Sequence, residues 1–214
     1  FIKDIISKVG NEQSGGMAFA NFDITVGDIF DKLNIAYNDL NKLIVYEAMA
    51  EFIKWCSNNH ERKGIESEYV SVNIGLCEKK WATTICESLI DAFMASPSDT
   101  FRPNIIFKVK NGINSQPCDR NYPLYIKSLK CTAKKMIPTY LLCDCESNKN
   151  VDPLKLGIMG CRTRIMQDEF GCEGAEGRGN ICNITINLPR IAMETKLQTE
   201  SNLIESFKEN WTKY

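Results

Sequence analysis

Between Tyr69 and Ile74 the chain alternates without a break, with Val70, Val72 and Ile74 on one side and Tyr69, Ser71 and Asn73 on the other. A period of two over six residues predicts a strand with one apolar and one polar face. The residues after that strand narrow the fold further. A helical run from about Trp81 to Met94 has Ile85, Leu89 and Phe93 in line, and Pro97 ends it. Asn104 to Val109 is the next predicted strand. Asp119 or Asn121 can cap a further helix that has Pro123 in its first turn and Tyr125, Leu129 and Ala133 as its buried stripe. Pro138 stops that helix, and Tyr140 to Cys143 reads as a short buried strand. Strands that alternate with helices of this length need crossover connections, so the pattern predicts an α/β protein with largely parallel pairing.

The flanks fit the same scheme. Phe1 to Val9 carries apolar residues at helical spacing, and Gly15-Gly16 comes after it in a loop. Ala18 to Asp23 is short and mixed, a loop or a short strand. From Asp28 to about Asn58 the pattern is helical, with a break expected near Asn38-Asp39 because so long a helix is unusual. Asn183 to Leu188 alternates again and predicts a strand, and Glu194 to Trp211 predicts a closing helix on Leu197, Ile204, Phe207 and Trp211. Neither an internal repeat nor a low-complexity linker divides the chain, so a single domain over residues 1–214 is expected. A chain of 214 residues can bury roughly 70% of its unfolded surface.

Charge excludes some functions. The net charge of -1, from 26 basic and 27 acidic side chains, argues against a nucleic-acid-binding domain. No apolar run approaches the roughly 20 residues that span a bilayer, and no signal peptide is visible. The ten cysteines are therefore read as reduced thiols of a cytoplasmic protein, most of them small buried hydrophobes. The start at Phe1, already helical in pattern, leads us to expect a piece of a larger protein.

Chemistry concentrates between Leu156 and Ala192. Cys161 stands after Met159-Gly160 and before Arg162 and Arg164, a Gly-rich polar span comes next, and Asn180 then leads into the Asn183 to Leu188 segment. Two local readings of Cys161 stand. It is either buried under a loop with its arginines solvated, or a thiol activated by Arg162 and Arg164. His60, the single histidine, lies in a charged helix end, which removes Cys-His and Ser-His-Asp machinery unless His60 serves it. Cys143-x-Cys145 is a weak metal signal, because structural zinc sites usually pair two such knuckles, so no metal site is assigned. The Gly-rich span matches neither a P-loop nor a dinucleotide fingerprint.

Several longer motifs, in order, then point one way. Gly160-Cys161-Arg162-Thr163-Arg164, Gly177-Arg178-Gly179-Asn180 and Thr185-Ile186-Asn187-Leu188-Pro189-Arg190-Ile191-Ala192 resemble the anaerobic (class III) ribonucleoside-triphosphate reductases. So do Asn11-Glu12-Gln13-Ser14-Gly15-Gly16, Asn21-Phe22-Asp23, Ser71-Val72-Asn73-Ile74-Gly75, the run from Pro103 to Gly112, and Asp119-Arg120-Asn121-Tyr122. The resemblance implies part of a ten-stranded α/β barrel of the glycyl-radical type, about a half-barrel with its surrounding helices. Residues 1–60 would be a helical, dimer-interface-like region, and residues 61–214 the half-barrel with the active-site cysteine loop. It also implies that Cys161 becomes a thiyl radical that removes the 3′-hydrogen of a ribonucleoside triphosphate. Asn180 would hold the ribose hydroxyls, Arg162 would face substrate phosphate, and Gln13 would lie by the nucleotide effector site. Thr185 and Asn187 are further polar groups on the alternating segment. The glycyl radical is expected on another segment, formed by an S-adenosylmethionine/iron-sulfur activase, with no cofactor bound by these residues themselves. A homodimer is implied, with no membrane and no nucleic-acid partner. Two alternatives remain: a non-catalytic nucleotide-binding or dimerisation module derived from that enzyme, and a small metal-binding protein using Cys143, Cys145 and other thiols.

Overall fold

The computed structural model describes residues 2–10, 12, 15–58, 69–160, 163–171, 173–178, 185–198 and 202–212. Chain contacts divide it into two units, Phe1–Asn180 and Ile181–Tyr214.

In the first unit the elements run α1 (Ile2–Gly10), β1 (Met17–Phe19), α2 (Phe22–Lys32), α3 (Asp39–Asn58), β2 (Val70–Ile74), α4 (Lys80–Ala95), β3 (Asn104–Val109), α5 (Tyr122–Lys135) and β4 (Thr139–Leu142). A hairpin comes next, β5 (Gly157–Met159) and β6 (Thr163–Ile165). Strands β1 to β4 form one sheet in the order β1-β2-β3-β4, every pair parallel. The sequence order and the spatial order are the same. Crossovers between parallel strands take one hand, so a sheet wound in one direction collects its helices on one face.

The core shows this sidedness. Val70, Val72 and Ile74 of β2 and Ile105, Phe107 and Val109 of β3 join Ile6, Phe22, Phe52, Ile85, Leu89 and Phe93 from the helices in one buried cluster. Helix α4 is its centre, packed by α2, α3 and α5 and buried on nearly every side. The expected line of Ile85, Leu89 and Phe93 is fully buried. Each such side chain stabilises the fold by about 1.5–3 kcal/mol relative to exposure.

Several sequence expectations hold, and some shift. The break near Asn38 is present: α2 ends at Lys32 and α3 starts at Asp39, where Asn38 Oδ1 accepts the Asn41 N–H at 2.8 Å. The α2 helix starts earlier than the pattern suggested, at Phe22. Helix α5 is rotated from its predicted stripe. Leu124, Ser128 and Cys131 are buried while Leu129 is exposed, because the Ser128 hydroxyl bonds back to Tyr125 O at 2.7 Å and the small side chain tolerates the interior. The polar face of β2 is also not a solvent face, since Ser71 and Asn73 are both fully buried.

The second unit holds α6 (Leu188–Gln198) and α7 (Leu203–Trp211). The strand read over Asn183 to Leu188 is corrected here. Residues 185–187 belong to no strand, and Leu188 already opens α6. Asn187 Oδ1 accepts the Arg190 N–H at 3.0 Å, so its side chain caps the helix, and Pro189 sits in the first turn where its missing N–H costs nothing. The single closing helix is likewise two. Thr195 Oγ1 bonds Ile191 O at 2.7 Å and takes the Asn210 amide at 2.9 Å, which joins α6 to α7.

Candidate active site

With helices α1 to α5 on one face of the sheet, the other face carries Ser71 and Asn73 of β2, Asn104, Ile106 and Lys108 of β3, and Leu141 of β4. The hairpin β5–β6 lies on this face. Its strands are antiparallel, pairing Gly157 with Ile165, Ile158 with Arg164 and Met159 with Thr163. Ile106, Leu141 and Leu156 form a small buried cluster with Val151, Ile158 and Met166 packed on it. That cluster supplies the apolar part of the docking, and hydrogen bonds set its register.

Asn73 Oδ1 accepts the Ile158 N–H at 2.8 Å, and Asn73 Nδ2 donates to Ile158 O at 3.0 Å and to Phe19 O at 3.1 Å. A primary amide offers a donor and an acceptor side by side, so Asn73 pairs with Ile158 much as a neighbouring strand would. Two residues on, Gly160 N donates to Ser71 Oγ at 3.0 Å, while Asn104 Nδ2 donates to Gly160 O at 2.6 Å. Gly160 has φ +65, a left-handed conformation that costs glycine little. The polypeptide is therefore gripped at both its N–H and its C=O immediately before Cys161. Tyr69 closes the same end, under the Arg102 guanidinium at 5.3 Å.

The approach to the hairpin is held by a buried cation. Lys108, 1% exposed, donates to Asn21 Oδ1 and to Pro153 O, each at 2.9 Å, and Asn21 Nδ2 donates to Leu154 O at 2.8 Å. Burial brings the Lys108 ammonium down to about 8. Beyond the hairpin, Arg178 pairs with Asp168 at 2.7 Å and donates to Met166 O and Gly174 O, so the Gly-rich span is organised around one guanidinium. A cavity of about 320 Å³ lies against Met159, Thr163, Arg164, Asp168 and Arg178, at the small end of ligand-pocket sizes.

Four site residues were expected from sequence: Cys161, Arg162, Asn180 and Gln13. All four lie outside the described residues. Their setting is described, with Gly160 and Thr163 flanking the first two and Arg178 close before the third. Arg164, one of the two arginines considered as activating Cys161, donates its guanidinium to Ser147 O and Asn148 Oδ1, both at 2.9 Å. There it neighbours Cys145, whose thiol is drawn below its ordinary value first by the Ser147 hydroxyl. Cys143, two residues away, is pushed up to about 11 by burial, so the C-x-C pair has two unlike thiols. Sequence reasoning missed Asn104, Lys108 and Asn21 as a set. A lysine inside the apolar run Asn104 to Val109 was the available signal.

The fold and the site define an α/β protein that lays a cysteine-bearing hairpin on the face of a one-way parallel sheet opposite helices α1 to α5. Comparison with known proteins places it. The family profile described as anaerobic ribonucleoside-triphosphate reductase matches residues 1–213, and the chain belongs to that family. It is 26% identical to the anaerobic ribonucleoside-triphosphate reductase of Enterobacteria phage T4, over 96% of this chain and 38% of the phage protein. The enzyme of the same name from Escherichia coli is 29% identical over 71% of this chain and 22% of its own length. That of Haemophilus influenzae is 37% identical over 44% of this chain and 13% of its own length. The chain thus spans well under half the length of these relatives. Among the described residues, no helix is long and apolar enough to cross a membrane.

Proposed function

We propose that this chain supplies the cysteine loop of an anaerobic ribonucleoside-triphosphate reductase, and that Cys161 is the thiol that becomes a thiyl radical and takes the ribose 3′-hydrogen. The observation that carries the reading is the double grip on Gly160 by Ser71 and Asn104, one residue before Cys161. A hydrogen-abstracting sulfur must be held within about half an ångström of its productive position, and hydrogen bonds to a rigid sheet meet that requirement better than a free loop. Asn180 and Arg162 are proposed for the ribose hydroxyls and the phosphates, and Gln13 for the effector. A sheet wound in one direction with its helices on one face is the arrangement from which α/β barrels close, which supports the half-barrel reading. The glycyl radical and its activase, the homodimer, and the cytoplasmic setting belong to the same proposal.

The test is anaerobic formation of deoxyribonucleotides by the polypeptide carrying this sequence, reconstituted with the radical-bearing segment and an activase. Cys161→Ser is expected to abolish product while leaving nucleotide binding within about twofold. Product formation by Cys161→Ser would refute the thiyl assignment. Nucleotide binding with no turnover by the wild-type chain would instead support a non-catalytic module.

A further inference from the structure

On the helix side of the sheet, away from the hairpin, Asp23, Cys77 and Cys86 converge. One carboxylate oxygen and the two sulfurs lie within 4.8 Å of one another, and the three residues are 1%, 0% and 0% exposed. They come from three segments: Asp23 from the first turn of α2, Cys77 from the loop after β2, and Cys86 from the middle of α4. Among the described residues this is the single group of three or more His, Cys, Asp or Glu side chains with such spacing. We propose that Asp23, Cys77 and Cys86 bind one thiophilic divalent cation, zinc, and so tie α2 and α4 to the end of β2.

Zinc takes thiolate sulfur at about 2.3 Å and carboxylate oxygen at about 2.0 Å, so tetrahedral ligands stand roughly 3.5–3.8 Å apart. Side-chain rotations that move the ligand atoms by about 1 Å or less bring them to three of zinc's four tetrahedral positions, the fourth falling to a water molecule. The surroundings are those of ligands rather than of three inert core residues. Asp23 Oδ2 accepts the Gly75 N–H and Oδ1 accepts the Ile24 N–H, each at 2.9 Å, which fixes the carboxylate, and the Cys77 thiol bonds to it on a lone pair that a metal ion would take in its place. Asn121, itself buried, donates its amide Nδ2 to Cys77 O and also reaches Cys77 Sγ at 3.9 Å, close enough for an N–H···S contact to a metal-bound thiolate. A zinc ion with two thiolates and one carboxylate carries one net negative charge. Burial raises the Asp23 carboxyl, and attraction from the Lys108 ammonium works weakly against it. The donor set S₂O suits zinc above magnesium or calcium, which prefer all-oxygen shells. The competing arrangement is a metal-free hydrogen-bond chain from Cys86 through Cys77 to Asp23.

The proposal is independent of the reductase reading, and its test uses no turnover. The 214-residue chain is purified anaerobically under reducing conditions with zinc, desalted, and assayed for bound metal. One equivalent of zinc is expected, falling at least tenfold in Cys86→Ala and persisting in Cys145→Ser. Less than a tenth of an equivalent in the wild type, or an undiminished equivalent in a Cys77→Ala/Cys86→Ala double variant, overturns the proposal. Where the alanine variants do not fold, cobalt(II) in the wild-type chain decides. Sulfur-to-cobalt charge-transfer absorption with the intensity of two thiolates supports the site, and its absence, or the intensity of four, overturns it.

Discussion

Removing the Asn73 side chain tests how the hairpin is held. Asn73→Ala deletes three hydrogen bonds, to Ile158 N, Ile158 O and Phe19 O, at a residue with no solvent exposure. At about 1 kcal/mol net for each bond the direct loss is ~3 kcal/mol. Backbone groups left buried without partners would cost about 1–3 kcal/mol each, but the hairpin has a cheaper response. By fraying locally at Ile158 it returns that residue's N–H and C=O to water, which holds the global loss near 3 kcal/mol. Chemical denaturation should therefore show a fall of about 3 kcal/mol. Hydrogen exchange at the Ile158 amide should speed up by about two orders of magnitude, since 1.4 kcal/mol is a factor of ten. Asn73→Asp should be at least as damaging, because it keeps the shape but sets carboxylate oxygens against the carbonyls of Ile158 and Phe19. A loss below about 1 kcal/mol, with Ile158 exchange unchanged, would refute the claim that Asn73 serves as the hairpin's strand partner.

Other consequences can be checked separately. The Lys108 ammonium is brought down from 10.5 to about 8 in the fold, so the unfolded chain binds the extra proton between those values, and this group makes stability rise with pH across that window. Its contribution is up to about 3 kcal/mol, to be read as the difference between wild type and Lys108→Met in denaturation at pH 7 and pH 10. The difference is needed because the buried thiols act oppositely: Cys56, raised to about 12, and Cys131, raised to about 11, keep their protons when folded and lower stability as pH rises from 9. Gly27→Ala should destabilise by about 1–3 kcal/mol despite alanine's higher helix propensity. A β-carbon there would stand 2.7 Å from Ala82 N and 2.9 Å from Ala82 Cα, inside the contact of α2 with α4, and a gain in thermal stability would contradict that packing. Asn187→Ala should remove the α6 cap and cost about 1 kcal/mol of helix stability, visible as lost helical circular dichroism in that unit; an unchanged signal would argue against the helix start at Leu188.

The sequence by itself settled the kind of fold and the order of its parts. Alternation in Tyr69 to Ile74, the helical stripe Ile85-Leu89-Phe93 and the stops at Pro97 and Pro138 are local signals, because a strand or helix repeats over few residues and each residue type has its own backbone limits. Family membership was equally legible, since its motifs run in order along the chain. Where local signals competed, the reading failed. Thr185 to Leu188 alternates like a strand, yet an asparagine before Leu-Pro is also a helix start, and the cap prevailed. The rotation of α5 toward Ser128 and Cys131 depends on the room its neighbours leave, which no helical period records.

The site belongs mostly to the tertiary structure. Ser71 and Asn73 read as the polar face of a strand, and it takes a hairpin more than 50 residues away in the chain to cover them, with Asn104, and take up their hydrogen bonds. Lys108 reads as a misfit in an apolar strand until Asn21 and Pro153 meet it. Asp23, Cys77 and Cys86 share no spacing in the chain and converge because two helices and a strand end pack together. Periodicity reports which face of an element is apolar, but a polar face is either wet or paired, and only the arrival of distant backbone decides between the two.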